Sequence, residues 1–236
     1  MYPEKKITLI EHLDELRGRI LGCLACILLC GIGSYIYSDS ILDILTHPSR
    51  NVITEFYFFA PQAAFLVKIK LSFFSGIILT VPIIFYHTWM FITPGLIGKE
   101  RRIVFPLSLI AAGLFFAGIL FCYYIVLPIA LEFLLGFGGE KLAPMMSIDT
   151  YIQFVTTLLA IFGVLFLLPI IVYLLSKLNI LSTKTLASKR GYILIIIFIV
   201  AAIVTPPDII TQIAFALPMW ILFEISVFIV SILDKK

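Results

Sequence analysis

Two carboxylates, Glu15 and Glu100, each stand in a dense polar cluster next to a long apolar run. The first cluster, residues 12–17, directly precedes the first run, and the second, residues 99–102, follows the second run. Acidic side chains oppose insertion into a bilayer, so insertion does not account for them. If both clusters lie on one side of a membrane, the two carboxylates form an acceptor for a cationic ligand. The alternative is an interfacial helix and a short loop whose charges are merely solvated.

The composition places these clusters in a membrane protein. The chain has 236 residues, 61% of them hydrophobic and 13% charged, and its mean hydropathy is +1.13. Soluble domains carry about a quarter charged residues. The net charge of +3 is too small to suggest a nucleic-acid partner, and the start of the chain lacks the pattern of a cleavable signal peptide.

Six apolar runs of roughly the length that crosses a bilayer predict an all-α integral membrane protein. They cover residues 20–37, 65–92, 103–135, 149–176, 191–204 and 209–233 of one membrane domain, 1–236. Interior prolines predict kinks, which membranes tolerate because neighbouring groups satisfy the freed carbonyls. These prolines are Pro82, Pro106, Pro128, Pro169 and Pro218.

The positions of lysine and arginine predict how the helices are oriented. Most precede the first run, link the second to the third and the fourth to the fifth, or end the chain. The positive-inside rule therefore places both termini in the cytoplasm. At 1.5 Å per residue the third run is about 50 Å long and the fifth about 20 Å. Such unequal lengths predict a concave, cup-like bundle with short helices 5 and 6.

An amphipathic helix is predicted over residues 8–19, ahead of the first run. Thr8 and Glu11 fit a capping box, and Glu15 and Arg19 form an i, i+4 pair. Within the apolar runs, Glu224 and Glu132 are intramembrane acids, which are candidates for function by default. Glu132 is close enough to the outer interface to reach water.

The sequence contains none of the common motifs of hydrolases, phosphate-binding loops or metal sites. There is no G-x-S-x-G, no H-E-x-x-H, no phosphate-binding glycine-rich loop and no cysteine-histidine metal spacing. We therefore expect no catalysis, no cofactor and no metal. The four cysteines are interpreted as small apolar residues, and His87 as a packed histidine, although it could pair with an acid.

Several motifs, taken in order along the chain, resemble the TatC family, the multispanning receptor subunit of the twin-arginine protein translocase. They are HLDELRGR (12–19), TWMFITPGLIGKERR (88–102), the segment from Phe162-Gly163 to Pro169, TPPDIITQ (205–212), Pro218 and LFEI (222–225). The resemblance implies a receptor that binds twin-arginine signal peptides of folded proteins at the cytoplasmic face. Since the sequence shows no transit-peptide pattern, we expect a prokaryotic plasma (inner) membrane.

The resemblance further implies which residues bind the signal peptide. Glu15 and Glu100 match the family's recognition carboxylates, Phe91 would pack the peptide and Arg17 would position the acids. His12, Leu16 and Pro94 belong to the same motifs. A guanidinium presents a planar fork of donors that suits a carboxylate, which a lysine cannot reproduce.

The resemblance also implies partners, namely small single-span TatA/TatB-type subunits that assemble for transport driven by the proton gradient, with self-association in a larger complex. We expect them at helix 5 and the concave face. The partner-related or transport-related candidates are Pro206, Asp208, Gln212, Glu224 and Gln62. One departure is Leu167, where the family usually has an acid or amide in the fourth helix.

A proton-coupled small-solute carrier is the alternative, motivated by Glu224, Glu132 and the kinked helices. Few polar residues line the apolar runs, and no repeat relates the two halves of the chain, as alternating access would favour.

Overall fold

Helices make up nearly all of this computed structural model, which describes residues 9–50, 53, 55–96, 101–136, 145–177, 188–204 and 209–233. Within these ranges, four stretches are long and apolar enough to cross a membrane, judged by length and composition. They are Ile10–Ile36, Ala63–Phe91, Phe105–Gly136 and Ile148–Ser176. The predicted all-α membrane fold is confirmed.

The helices follow the predicted runs closely. The first four runs correspond to α1 (Leu9–Ile36), α3 (Ala63–Leu96), α4 with α5 (Arg101–Phe121 and Leu127–Gly136) and α6 with α7 (Ile148–Leu165 and Leu168–Lys177). The last two correspond to α8 (Arg190–Val204) and α9 (Ile209–Leu233), and a short α2 (Ser38–Thr46) follows α1. Helix 5 is short, as predicted, with 15 residues in α8. Helix 6 has the predicted bounds, 209–233, but with 25 residues in α9 it is not short.

The first helix has no break between its amphipathic start and its apolar part. It runs from Leu9 to Ile36, so the segment predicted as an interfacial helix and the first apolar run form one continuous helix. The predicted cap Thr8 lies outside the described residues.

Two of the five predicted kinks coincide with an irregular helix. Ahead of Pro128, a π-helical segment, Cys122–Val126, joins α4 to α5. Ahead of Pro169, the N–H of Leu167 donates to the carbonyl of Val164 at 3.0 Å, in the turn that separates α6 from α7. Proline has no N–H and clashes with the carbonyl four residues earlier, which accounts for both sites. At the other three prolines the helices continue.

The chain divides into two compact units. The first comprises Met1–Leu42 and Phe65–Ala112, and the second Asp43–Ala64 and Gly113–Lys236. In the first unit, α1 and α3 approach closely at glycines. A Cβ atom added to Gly76 would lie 2.7 Å from the carbonyl oxygen of Ile27 and 2.8 Å from the backbone nitrogen of Gly31. Only hydrogen atoms fit at such a contact.

The second unit has a buried core of aromatic and aliphatic side chains on α4 to α9. Tyr151 and Phe162 on α6 are almost completely buried. The Tyr151 hydroxyl donates to the carbonyl of Leu45 at 2.8 Å, and the Tyr123 hydroxyl donates to that of Ile44 at 2.7 Å. These bonds attach the last turn of α2 to the core of this unit.

Two short strands, which the sequence did not predict, also belong to the second unit. β1 (Phe56–Tyr57) pairs in parallel with β2 (Met146–Ser147). The pair joins the segment before α3 to the segment before α6. It therefore ties together two connections that are distant in the sequence.

Candidate functional site

The polar residues near the start of α1 form a site with the end of α3, within the first unit. On α1, His12, Glu15 and Arg19 are spaced i, i+3 and i+7, which places them on one face of a helix. On α3, His87 and Phe91 are spaced i, i+4 and likewise share a face. Two short rows of side chains therefore meet where α1 lies against α3.

A guanidinium links the two rows. Arg19 Nη2 donates to Glu15 Oε1 on the same helix, and Arg19 Nη1 donates to the backbone carbonyl of His87 at 3.2 Å. The Arg19 side chain is only 13% exposed, whereas that of Glu15 is 34% exposed. The predicted i, i+4 pair of Glu15 and Arg19 is confirmed.

Aromatic rings form the other half of the site. The rings of His12 and Phe91 stack with their centroids 4.2 Å apart and their planes inclined by 10°. His12 Nδ1 is 3.8 Å from Glu15 Oε2, which is too long for a hydrogen bond but close enough for an ion pair when the imidazole is protonated. The stack therefore lies directly beside the second oxygen of the carboxylate.

This arrangement can accept a cation with a flat face. An ionised carboxylate offers about four acceptor positions, and Arg19 donates to Oε1. A guanidinium both pairs with carboxylates and stacks on aromatic faces. The combination of Glu15 and the His12–Phe91 stack therefore suits an arginine better than a lysine.

The other predicted peptide-binding residues lie on α1, at the end of α3, or outside the described part of the chain. Leu16 is half-buried and Arg17 is exposed on α1. Pro94 lies in the last turn of α3, and Glu100 lies outside the described residues. Arg19 donates a hydrogen bond to Glu15, and the positioning of the acids by Arg17 stays a prediction.

Two members of the site were not among the predicted site residues. The sequence could have identified Arg19 by its i, i+4 spacing from Glu15. His87 takes part through its backbone carbonyl, which no sequence pattern reveals, while its ring meets that of Tyr86 edge-on with centroids 5.7 Å apart.

The predicted partner-related residues with described side chains lie in the second unit. The Gln212 side-chain amide donates to the carbonyl of Phe198 at 3.0 Å and so joins α9 to α8. Gln212 also lines a groove of about 330 Å³, otherwise apolar, along α8. Gln62 is exposed, and Pro206 and Asp208 lie outside the described residues.

The intramembrane acid Glu224 has a partner. Arg190 Nη2 at the start of α8 lies 2.9 Å from Glu224 Oε2 on α9, and both side chains are partly exposed. Leu167, the departure from the family pattern, is buried in the turn between α6 and α7.

Metal binding finds no support in the part of the chain that the structure describes. These residues contain no group of three or more histidine, cysteine, aspartate or glutamate side chains that could hold an ion. All four cysteines are free thiols.

Comparison with known proteins gives a consistent result. The family model for the Sec-independent protein translocase protein (TatC) matches residues 11–218. The protein of that name from Carboxydothermus hydrogenoformans is 41% identical over 234 residues, which cover 99% of this chain and 96% of that protein. The one from Escherichia coli K12 is 36% identical over 236 residues, covering 97% and 90%.

Solved structures agree with the sequence comparison. A crystal structure of a twin-arginine translocase receptor, TatC, superposes with a TM-score of 0.83 at 37% identity and covers 94% of this chain and 99% of that one. A second, in DDM, gives a TM-score of 0.84 at 38% identity, covering 93% and 99%.

Proposed function

Since this chain belongs to the TatC family, we propose that it is the subunit of a twin-arginine translocase that binds the signal peptides of folded cargo. The family is non-catalytic, and this chain is a multi-pass membrane protein of a prokaryotic protein translocase. The proposed ligand is the pair of arginines in the signal peptide.

The Glu15 carboxylate beside the His12–Phe91 stack is the observation that carries this proposal. It offers a negative charge and a flat aromatic surface at one place. One arginine of the peptide would donate to Glu15 while its guanidinium plane lies against the rings. Each charge-assisted hydrogen bond contributes about 1.5–3 kcal/mol, so this contact would give a measurable preference for arginine.

The other predicted residues complete the proposed binding surface. Glu100 is the second acceptor, for the second arginine of the pair. Leu16 and Pro94 supply apolar contact, and the apolar part of the signal peptide adds the remainder. Arg17, which is exposed on α1, is proposed to help position the two acids.

We propose that this surface faces the cytoplasm of a prokaryotic cell, with the chain in the plasma (inner) membrane. Lysine and arginine concentrate on the same side as the start of α1, which supports that orientation by the positive-inside rule. Signal peptides emerge with their cargo on that side.

Small single-span subunits of the TatA/TatB type are the proposed partners for transport. The groove along α8 supports this, because it is apolar except for Gln212. A partner helix with one polar residue would fit such a surface, since buried polar groups need a hydrogen-bond partner. Pro206, Asp208, Glu224 and Gln62 remain proposed partner-related or transport-related residues.

Peptide binding to the purified chain in nanodiscs tests the central proposal. Glu15→Gln should weaken binding of a twin-arginine peptide by about 10-fold or more, the loss of one charge-assisted bond. The double variant with Glu100→Gln should abolish binding, and both variants should still insert into the membrane. Glu132→Gln, which changes an exposed acid on α5, is the control. Unchanged affinity in the double variant would overturn the proposal.

A further inference from the structure

Arg19 is an almost buried charge in the candidate site. A guanidinium stays protonated in proteins, and burying a charge is costly unless it is paired and hydrogen-bonded. Arg19, at 13% exposure, therefore depends on its two partners. They are the carboxylate of Glu15 and the backbone carbonyl of His87.

These two partners belong to different helices. Glu15 lies one turn before Arg19 on α1, and His87 lies one turn before Phe91 on α3. The guanidinium therefore sets the place of the Glu15 carboxylate relative to the end of α3, which carries the stacked ring of Phe91. A rigid planar fork suits this task, because its donors keep fixed directions.

The two oxygens of Glu15 are consequently not equivalent. Oε1 accepts from Arg19, and Oε2 lies on the side of His12 and the aromatic stack. A ligand guanidinium that stacks on these rings would meet Oε2 first. Without Arg19, the Glu15 side chain could rotate freely among its rotamers, and pairing with the ligand would then cost additional conformational entropy.

We propose that Arg19 is a positioning residue for arginine recognition: it orients the Glu15 carboxylate so that Oε2 faces the ligand beside the His12–Phe91 stack. Arg19 acts through Glu15 and does not touch the peptide. This inference rests on the proposed function, since it concerns the same site.

The opposite role, in which Arg19 competes with the peptide for Glu15, is disfavoured by its burial. A competitor must leave when the ligand binds. Arg19 would then leave its carboxylate partner while it remains buried and bound to the His87 carbonyl, and an unpaired buried charge is strongly unfavourable. The two roles predict opposite effects of its removal.

Affinities for two peptides, one with paired arginines and one with paired lysines, test the proposal in nanodiscs. Arg19→Gln should lower the affinity for the arginine peptide about tenfold and that for the lysine peptide much less, so that their ratio falls. Arg19→Lys should restore part of the ratio, because an ammonium has three donors but no fixed fork. Arg50→Gln is the matched control, since Arg50 also pairs with a carboxylate, that of Asp43, in the second unit.

A double-mutant cycle separates positioning from general damage to the fold. In the Glu15→Gln background, Arg19→Gln should cause no further loss of affinity, because its effect passes through Glu15. An equal loss in both backgrounds, an unchanged arginine-to-lysine ratio or a gain in affinity would each overturn the inference. If Arg19→Gln does not fold, Arg19→Lys decides, and wild-type discrimination in that variant would also overturn it.

Discrimination between the two peptides by the wild-type chain distinguishes failure of the proposed function from failure of the positioning role of Arg19. If the wild type does not discriminate between the arginine and lysine peptides, the proposed function itself fails. If it does and Arg19→Gln discriminates equally well, the positioning role fails and the proposed function stands.

Discussion

The candidate site combines the charge of Glu15 with the stacked rings of His12 and Phe91. The contribution of the Phe91 ring can be tested separately. Phe91→Leu would keep an apolar side chain but remove the ring that stacks on His12. Cation–π contacts contribute about 0.5–2 kcal/mol. We therefore expect a loss of about 2-fold to 30-fold in affinity for a twin-arginine peptide, measured by fluorescence anisotropy.

Two further variants control this prediction. Phe91→Trp should retain most of the affinity, because a larger ring preserves the aromatic face. Phe58→Leu should change nothing, since Phe58 is an exposed ring in the second unit. Equal affinity of Phe91→Leu and the wild type would mean that the ring does not contact the peptide.

At this scale, local spacing predicts some contacts and misses others. The pair of Glu15 and Arg19 follows from helical periodicity, since residues four apart share a face. The bond from Arg19 to the His87 carbonyl joins residues 68 positions apart. Such a bond depends on how α1 and α3 pack, and no local pattern contains that information.

Among the elements, the contact of α1 with α3 underlies the site. Gly76→Ala would place a Cβ atom 2.7 Å from the carbonyl oxygen of Ile27, which forces the two backbones apart. Overpacking costs about 1–3 kcal/mol. We expect a lower midpoint in thermal unfolding in detergent and weaker peptide binding, because Glu15 and Phe91 sit on the two separated helices.

Gly33→Ala is the matched control for this change. It adds the same methyl group to a helical glycine, on α1 instead of α3, but nothing lies within 4 Å of the new Cβ position. If both alanine variants unfold at the wild-type temperature, the glycine contact does not determine how α1 and α3 pack.

The ion pair of Arg190 with Glu224 connects α8 to α9 and should be only modestly stabilising. Both side chains are partly exposed, at 48% and 35%, and exposed pairs contribute about 0.2–1 kcal/mol. A double-mutant cycle with Arg190→Gln and Glu224→Gln, followed by unfolding in detergent, should give a coupling energy in that range. Purely additive effects would show that the pair contributes no stability.

The helix bounds were the most predictable part of the fold. A continuous apolar run bounded by polar residues or prolines marks where a helix begins and ends, and α8 and α9 begin and end within one residue of the predicted runs. The effect of proline was less predictable. A π-helical segment forms ahead of Pro128, but α4 continues through Pro106, and the difference depends on packing around each helix.

For the whole molecule, the two units and the β1–β2 pair were outside what the sequence could predict. The strands have two residues each and pair segments about 90 positions apart. Such short segments carry no detectable periodicity. The proposed cytoplasmic placement of both termini stays a prediction from charge, as does the cup-like shape.

The carrier alternative loses one of its motivations, the intramembrane acid Glu224, at this scale. Glu224 is paired with Arg190, and a cavity of about 570 Å³ in the second unit is lined only by apolar residues such as Phe121, Phe215 and Leu222. A solute or proton pathway requires polar groups. We expect proteoliposomes containing this chain alone to show no proton-coupled solute flux, and flux abolished by Glu224→Gln would revive the alternative.

Orientation in the membrane can be tested with single cysteines in a background that lacks the native thiols. Gln62 and Lys189 are both exposed and lie on opposite sides of the proposed topology. A membrane-impermeant maleimide added to intact cells lacking an outer membrane barrier should label Gln62→Cys and not Lys189→Cys. Labelling of Lys189→Cys alone would mean that the orientation is reversed.

Photo-crosslinking of a twin-arginine signal peptide to membranes containing the chain tests the central claim most directly. Probes at Leu16 and Met90 flank Glu15 and Phe91, and a probe at Phe58 in the second unit serves as the control. The proposed function predicts adducts at Leu16 and Met90 that disappear when the peptide's two arginines become lysines. Adducts that persist after this change would contradict it, because the surface would then hold signal peptides by apolar contact and Glu15 would only balance charge.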